Sequence, residues 1–212
     1  MAEITALRVH PRRPARVEVY LDGRRWLSIP SRTAGGLGVG MTLAPELRAD
    51  LESRAAEAEA LEAIGRLLAR RPHSEQEARR RMQRAGFDET VITRVVTRLR
   101  ASGDLDDAGF ARAWVENRKD FRPRSAAMIR AELRSRGVAA DVIEASLAGF
   151  DEEKAAEEAG RRTARRWSGI DPVRRRRKIS DHLARRGFAY DIIRSVVRAL
   201  EASTEGESEE WP

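Results

Sequence analysis

Three glycines, Gly86, Gly137 and Gly187, stand 51 and 50 residues apart in a chain of 212. Each occupies the same place in one recurring passage: M-Q-R-A-G-F-D-E-T-V-I, L-R-S-R-G-V-A-A-D-V-I and L-A-R-R-G-F-A-Y-D-I-I. An apolar residue precedes each glycine by four (Met82, Leu133, Leu183) and by eight (Ala78, Ile129, Ile179). An apolar pair follows at plus five and plus six: Val91–Ile92, Val142–Ile143 and Ile192–Ile193. Self-similarity at this period means an array of like units, none of which buries its apolar stripe well alone. An array of this kind presents a long surface and seldom a deep catalytic cleft.

The fours and eights are helical spacing, and each unit divides into three helices. In the first repeat, 58–103, Leu61, Ile64, Leu67 and Leu68 line one face of a helix over about 59–70. Pro72 breaks it, and Ser74 with Glu77 makes a capping box for a middle helix over 75–85. Gly86 ends that helix in a left-handed cap. Asp88 then opens a third helix, 89–102, carrying Val91, Ile92, Val95, Val96 and Leu99. The second repeat, 104–150, starts at Asp106 or Asp107 with Phe110, Trp114 and Val115, and Pro123 with Ser125 opens its middle helix. In the third, 151–202, Asp151 caps an alanine-rich helix running to Trp167, and Pro172 opens the middle one.

Residues 1–44 read differently. Runs at 4–10, 15–21 and 24–29 are β-prone, and Asp22-Gly23 between the last two is a two-residue hairpin signal. Pro11 and Pro14 are expected to block strand continuation between the first two runs. Gly35, Gly36, Gly38 and Gly40 mark a flexible junction; they match neither a dinucleotide-binding nor a phosphate-loop pattern. Pro45 suits the first turn of a connecting helix, 45–57, that continues into the array. The expected fold is mainly α: three tandem three-helix repeats in an elongated curved array, preceded by a small antiparallel β patch. An acidic tail, 203–212, is expected to be disordered.

Charge bears on partners. The chain carries a formal +7, and Glu201 to Pro212 contribute five glutamates and no base. A basic body favours a polyanion, either nucleic acid or an acidic protein face. Arginine supplies all but three of the 41 basic residues, so a plain solvated surface is the competing explanation. There is no cysteine, which excludes disulfides, thiolate metal sites and cysteine nucleophiles. No stretch approaches the roughly 18 apolar residues of a membrane span, and the N-terminus lacks a signal-peptide core. A cytoplasmic, monomeric protein without membrane association is expected.

Catalysis has little to work with. His10, His73 and His182 lie far apart and read as packing or surface residues, and no hydrolase or metalloprotease motif occurs. Asp106–Asp107 reads as a helix N-cap before it reads as half of a metal site. Neither a cofactor nor an enzymatic activity is expected.

The middle helices collect the charge instead. Arg70, Arg71, Arg79, Arg80, Arg81 and Arg84 face only Glu75 and Glu77 in the first. Arg122, Arg124, Arg130, Arg134 and Arg136 face Glu132 in the second, and Arg174, Arg175, Arg176, Arg177, Lys178, Arg185 and Arg186 face Asp181 in the third. With the apolar stripe turned inward, stacked repeats would align these as a ladder suited to bidentate carboxylate or phosphate contacts.

One stretch is more specific. Leu105-Asp-Asp-Ala-Gly-Phe-Ala-Arg-Ala-Trp-Val115, followed by Arg118, Arg122-Pro123, Ile129, Glu132-Leu133-Arg134 and Gly137, resembles the central signature of the RecX regulatory proteins. The run Leu67 to Glu77, ending in Gly86-Phe87, is similar to that family's first repeat, and Tyr20-Leu-Asp-Gly23 to a small extra domain some members carry. Where the family has a glycine before the second middle helix, this chain has Phe121-Arg122. The resemblance makes Gly86, Leu105, Asp106, Asp107, Phe110, Ala111, Trp114, Ile129, Leu133, Gly137 and Gly187 structural motif positions. It implies a partner, the RecA recombinase filament, bound along its groove with its ATPase and strand exchange lowered. Arg79, Arg80, Arg84, Arg122, Arg124, Arg130, Arg134, Arg174, Arg175, Arg177 and Arg185 are then the candidates for touching RecA, or single- or double-stranded DNA weakly. The rival readings are a helical module acting directly on nucleic acid, and an unrecognised hydrolase for which no acid–base pair is found.

Overall fold

The three recurring glycines end three helices in the same way. A computed structural model describes residues 2–209, with side chains through residue 202. Gly86, Gly137 and Gly187 have φ of 83°, 80° and 83°, the left-handed region that only glycine enters without strain. Each glycine amide donates to the carbonyl three residues back, at 2.9 Å in every case. The amide of the following residue, Phe87, Val138 or Phe188, donates five residues back to Met82, Leu133 or Leu183, at 3.2, 3.2 and 3.3 Å. This is the paired-bond C-cap in which the residue after glycine also packs on the residue it bonds. Phe87 and Met82, Val138 and Leu133, and Phe188 and Leu183 accordingly share the three helical cores.

The chain divides into two compact units, Met1–Leu105 and Asp106–Pro212. The first begins with strands β1 (Ala2–His10), β2 (Arg13–Leu21) and β3 (Arg24–Pro30), then helix α1 (Ser31–Ala34) and strand β4 (Thr42–Leu43). The antiparallel sheet has the order β3-β2-β1-β4. Asp22 (φ 47°) and Gly23 (φ 81°) both take the positive φ that a tight hairpin between Leu21 and Arg24 requires. Helices α2 (Pro45–Leu68), α3 (Glu75–Arg84) and α4 (Glu89–Ala101) complete the unit.

Helix α2 serves two cores. Leu51 and Ala55 in its first half pack with Ile4, Val19, Leu21, Ile29 and Leu43 of the sheet. Ala60 and Ile64 in its second half pack with Ala78, Met82, Ile92, Val95 and Val96 of α3 and α4. Beside the sheet, Arg16 is buried: its guanidinium lies 2.6 Å from Glu62 Oε1 and donates to the carbonyl and hydroxyl of Ser28. That ion pair ties β2 to α2.

The second unit holds α5 (Asp107–Asp120), α6 (Ala126–Ser135), α7 (Ala140–Leu147), α8 (Glu152–Arg166), α9 (Pro172–Ala184) and α10 (Tyr190–Glu209). Phe110, Ala111, Val115, Ile129, Leu133, Val138, Ile143 and Leu147 form the core of its first half. Ala155, Ala156, Ala159, Ile179, Leu183, Phe188, Ile193, Val196 and Val197 form the second, and Phe150 packs on both. Alanines on α8 let α10 come close: a Cβ on Gly160 would lie 2.7 Å from Val196 Cγ1.

Several elements differ from expectation. Pro14 lies within β2, between the paired residues Arg13 and Arg16, where the ladder is interrupted and no amide is needed. The glycine-rich segment is not a loose junction, because Gly40 N donates to Ile4 O (2.8 Å), Ile4 N donates to Met41 O (2.9 Å), and β4 pairs with β1. The connecting helix and the first repeat helix are a single α2, since nothing between Glu52 and Glu62 breaks a run of strong helix formers. Asp106 sits at the N-cap of α5, but its side chain makes no capping bond; its carboxylate lies over Gly109, 3.8 Å from Arg112. Helix α10 continues to Glu209, and residues 210–212 of the expected disordered tail lie outside the described residues.

Gly86→Ala forces an L side chain into positive φ with open space around it, and is expected to destabilise by about 1–2 kcal/mol. Gly187→Ala adds contacts of 2.6 Å to Ser125 Oγ and 3.1 Å to Met128 Sδ, so its loss exceeds that of Gly86→Ala by roughly 1 kcal/mol or more in urea denaturation. Equal losses would contradict the close approach at Gly187. Glu62→Ala leaves Arg16 buried without its carboxylate and is expected to cost about 2 kcal/mol, less than a fully buried pair because Glu62 remains about a third exposed. A Glu62→Ala variant as stable as the parent would show that Arg16 finds enough in Ser28 alone.

Candidate functional site

The middle helices α3, α6 and α9 turn their apolar stripes inward as the fours and eights require: Ala78 and Met82, Ile129 and Leu133, Ile179 and Leu183 are all buried. Charges on the same helices separate into two groups. Some guanidiniums reach carboxylates of their own repeat, and others stand in solvent.

On α3, Arg79 is only 23% exposed, with Nε 2.9 Å from Glu75 and Nη1 3.0 Å from Glu89 at the start of α4. It fastens α3 to α4. Arg80, Arg81 and Arg84 are exposed, Arg80 and Arg84 on the side away from Ala78 and Met82. On α6, Arg130 reaches across to α7, where Nε and Nη2 engage both oxygens of Glu144 at 2.7 and 3.0 Å. That hydrogen-bonded pair raises the Arg130 pKa and lowers that of Glu144. Arg134, one turn on, is exposed.

Glu132 gathers the rest of this repeat. Its carboxylate accepts from Trp114 Nε1 and Arg118 Nε, both at 2.7 Å, and pairs with Arg124. The guanidiniums of Arg118 and Arg136 lie 4.3 and 3.9 Å from the Trp114 ring centroid, and the ring stands 5.8 Å from that of Phe110. Trp114 therefore holds α5 to α6 through its hydrogen bond to Glu132 and its cation–π contact with Arg136, while Arg118 stacks on the ring from α5 itself. On α9, Arg174, Arg177 and Arg185 are exposed and Arg175 is half-buried. Arg176 approaches Glu201 at 3.6 Å, and Lys178 lies 4.2 Å from the Trp167 ring centroid.

The arginines do not share one register across the three repeats. Arg79 and Arg130 both precede their glycine by seven, where the third repeat has Ser180. Arg84 and Arg185 precede theirs by two, where the second has Ser135, and Arg124 and Arg174 by thirteen, where the first has His73. Each rung is at most two repeats deep.

Where α6 begins beside the end of α9, further residues enter that spacing did not single out. Ser125 caps α6, and its amide donates to Arg186 O at 3.0 Å. Arg186 Nη1 donates to Pro123 O and Nε to His182 Nε2, both at 2.7 Å. From α8, Arg162 donates to the carbonyls of Asp120 (2.7 Å) and Phe121 (3.3 Å) while pairing with Glu158. Burial, and then Arg186, Arg185 and Arg166, lower the His182 pKa, so the ring is neutral and accepts at Nε2. Arg162 lies on the alanine-rich helix, where no motif marks it; its partners are 41 and 42 residues away.

The other sequence candidates are structural. His73 is buried with Nδ1 2.7 Å from Arg71 O. Among the described residues, no group of three or more His, Asp or Glu is placed to hold a metal, Asp106 and Asp107 included. No helix among them is long and apolar enough to cross a membrane.

Comparison with known proteins places these repeats. Family models described as the first, second and third three-helix domains of RecX match residues 60–99, 106–147 and 151–197 in that order. The regulatory protein RecX of Mycobacterium avium (strain 104) is 38% identical over 138 residues, covering 63% of this chain and 80% of that protein. The regulatory protein RecX of Clostridium botulinum (strain Alaska E43 / Type E3) is 29% identical over 205 residues, covering 93% and 96%. A crystal structure of regulatory protein RecX shares the fold at 20% identity, with a TM-score of 0.69 over 92% of this chain and 98% of that one. A second, of RecX from Lactobacillus salivarius, gives 0.59 at 18% identity, over 69% and 97%. With all three of its helical domains matched in sequence order, this chain belongs to the RecX family of regulatory proteins.

Proposed function

We propose that this protein binds the RecA recombinase filament along its groove and lowers its ATPase and strand-exchange activities. The observation that carries the reading is family membership through all three helical domains. The charge supports it in a simpler way: each of the three middle helices carries exposed arginines, Arg84, Arg134 and Arg177 among them, which an acidic protein face or phosphates would attract. The protein acts by binding, as a monomer in the cytoplasm, with DNA as a weaker second contact.

The outward arginines are the better contact candidates. Arg84, Arg134 and Arg177 are exposed and form no ion pair among the described residues, and a guanidinium so placed suits bidentate contacts with carboxylate or phosphate. Arg79, Arg124 and Arg130 are engaged with Glu75, Glu89, Glu132 and Glu144 inside their own repeats. Charge reversal at those three would disturb helix packing as well as any interface.

Titration of the protein into RecA hydrolysing ATP on single-stranded DNA is the direct test, with progressive inhibition expected. The triple variant Arg84→Glu, Arg134→Glu, Arg177→Glu should need at least about tenfold more protein for the same inhibition, with unchanged helicity by circular dichroism. An undiminished effect of that variant would remove these faces from the interface. A RecA ATPase indifferent to the parent protein would overturn the function itself.

A further inference from the structure

The second and third repeats have separate cores, and the half-buried Phe150 is the residue the two have in common. It follows Gly149, whose φ of 78° turns the chain between α7 and α8. Beside this link the repeats part around an open cleft of about 570 Å³. Val115, Lys119 and Ser146 line one side of it, and Lys154, Ala155 and Arg161 the other. Side chains that fix two elements to one another close-pack and leave no opening of this size.

Away from the link, the third repeat holds the second by polar bonds to one short segment, residues 120–125, from the end of α5 to the cap of α6. Arg162 donates to the carbonyls of Asp120 and Phe121, Arg186 donates to that of Pro123, and the Arg186 carbonyl accepts from Ser125 N. Arg162 lines the large cleft and also a second opening of about 180 Å³ that contains Phe121, His182 and Arg186. With an opening on either side, its guanidinium bridges a gap rather than filling a core. The bonds also work against a bias. Burial lowers the Arg186 pKa, and the charges of Arg124, Arg162, Arg122 and Arg185 lower it further, so release of this side chain to water relieves both.

We infer that the second and third repeats are two bodies hinged at Gly149 and Phe150, and that Arg162 and Arg186 latch them shut through the carbonyls of Asp120, Phe121 and Pro123. Opening exchanges guanidinium–carbonyl bonds for bonds to water and leaves each three-helix core whole, so it is a local event well below the cost of unfolding. Arg134 and Arg177 ride on different sides of the joint, on α6 and α9, and its angle sets the spacing at which any partner meets them. The hinge goes beyond the proposed action on RecA and stands independently of it, because it operates in the protein alone.

The chain has no cysteine, so Ala131→Cys on α6 and Ser195→Cys on α10, both exposed, can carry a pair of nitroxide labels in the full chain. Double electron–electron resonance then reads the distance between the repeats, and one narrow population should dominate. Adding Arg162→Met with Arg186→Met should raise the ratio of open to latched molecules at least about tenfold, seen as a broadened distribution with unchanged helicity by circular dichroism. Arg161→Met with Arg185→Met removes the same charge from neighbouring positions that hold no carbonyl of the second repeat among the described residues, and should leave the distribution narrow. A distribution in the Arg162 and Arg186 variant as narrow as the parent's would overturn the latch, and so would equal broadening in the control. Hydrogen exchange of the unsubstituted protein gives a readout that requires no variant to fold. The Ser125 amide, bonded across the joint, should be at least about tenfold less protected than the Leu133 amide inside α6. Equal protection of the two would mean that the joint opens only as the repeat unfolds, and would sink the hinge. Because RecA is absent from both measurements, failure here leaves the filament reading standing, and failure of the ATPase titration leaves the hinge standing.

Discussion

The turn at each recurring glycine fixes the direction in which the third helix of every repeat leaves the second. Two backbone bonds close the end of the middle helix, and the residue after glycine is drawn onto the apolar residue four before it. Once Phe87, Val138 and Phe188 are seated on Met82, Leu133 and Leu183, the following pairs Val91–Ile92, Val142–Ile143 and Ile192–Ile193 are brought to their cores. An apolar side chain of this size contributes about 1.5–3 kcal/mol when fully buried. The local turn and the core therefore specify the same geometry, and every other feature of the repeat is arranged around it.

With the inner face assigned, the middle helices have their outer faces available for charge, and arginine does two kinds of work there. A planar fork with five donors can hold a carboxylate on the next helix, as Arg130 does, or two carbonyls of a passing loop, as Arg162 does. Lysine, a compact point charge with three rotatable donors, lacks the rigid fork that makes the first role bidentate. Basic residues here are consequently part of the packing as well as part of the surface. Removing one inward arginine would loosen a helix; removing one outward arginine would change only the field.

Helices, caps and cores were legible because each rests on contacts within a few residues. Ser74, Ser125, Asp88 and Asp151 cap as their positions foretell, each bonding an amide two or three residues on. The hairpin at Asp22-Gly23 is equally local. Strand β4 is two residues long and α1 four, too short for any periodicity to register. Which arginines would be taken up internally was not legible either. Glu89 and Glu144 lie ten and fourteen residues from Arg79 and Arg130, and the carbonyls held by Arg162 and Arg186 lie 41 to 63 residues away. Local spacing marks a charge as outward-facing but cannot tell which neighbouring helix presents it with an acceptor.

The residue immediately before the glycine shows how one register can be turned to three ends. In the first repeat it is Ala85, which adds nothing beyond the cap. In the second it is Arg136, whose guanidinium lies over Trp114 and helps hold the first helix of its own repeat. In the third it is Arg186, which reaches out of its repeat to the Pro123 carbonyl and fixes the entrance of α6. The same pair of cap bonds closes the chain around this position in all three repeats, so the side chain leaves from the same turn of the fold. What differs is what lies within reach: nothing that requires a charge, then an aromatic face, then a neighbouring repeat. A repeated fold constrained this tightly at glycine and at the apolar residues four and eight before it leaves the intervening positions to diverge. Those are the positions at which three copies of one element acquire different partners.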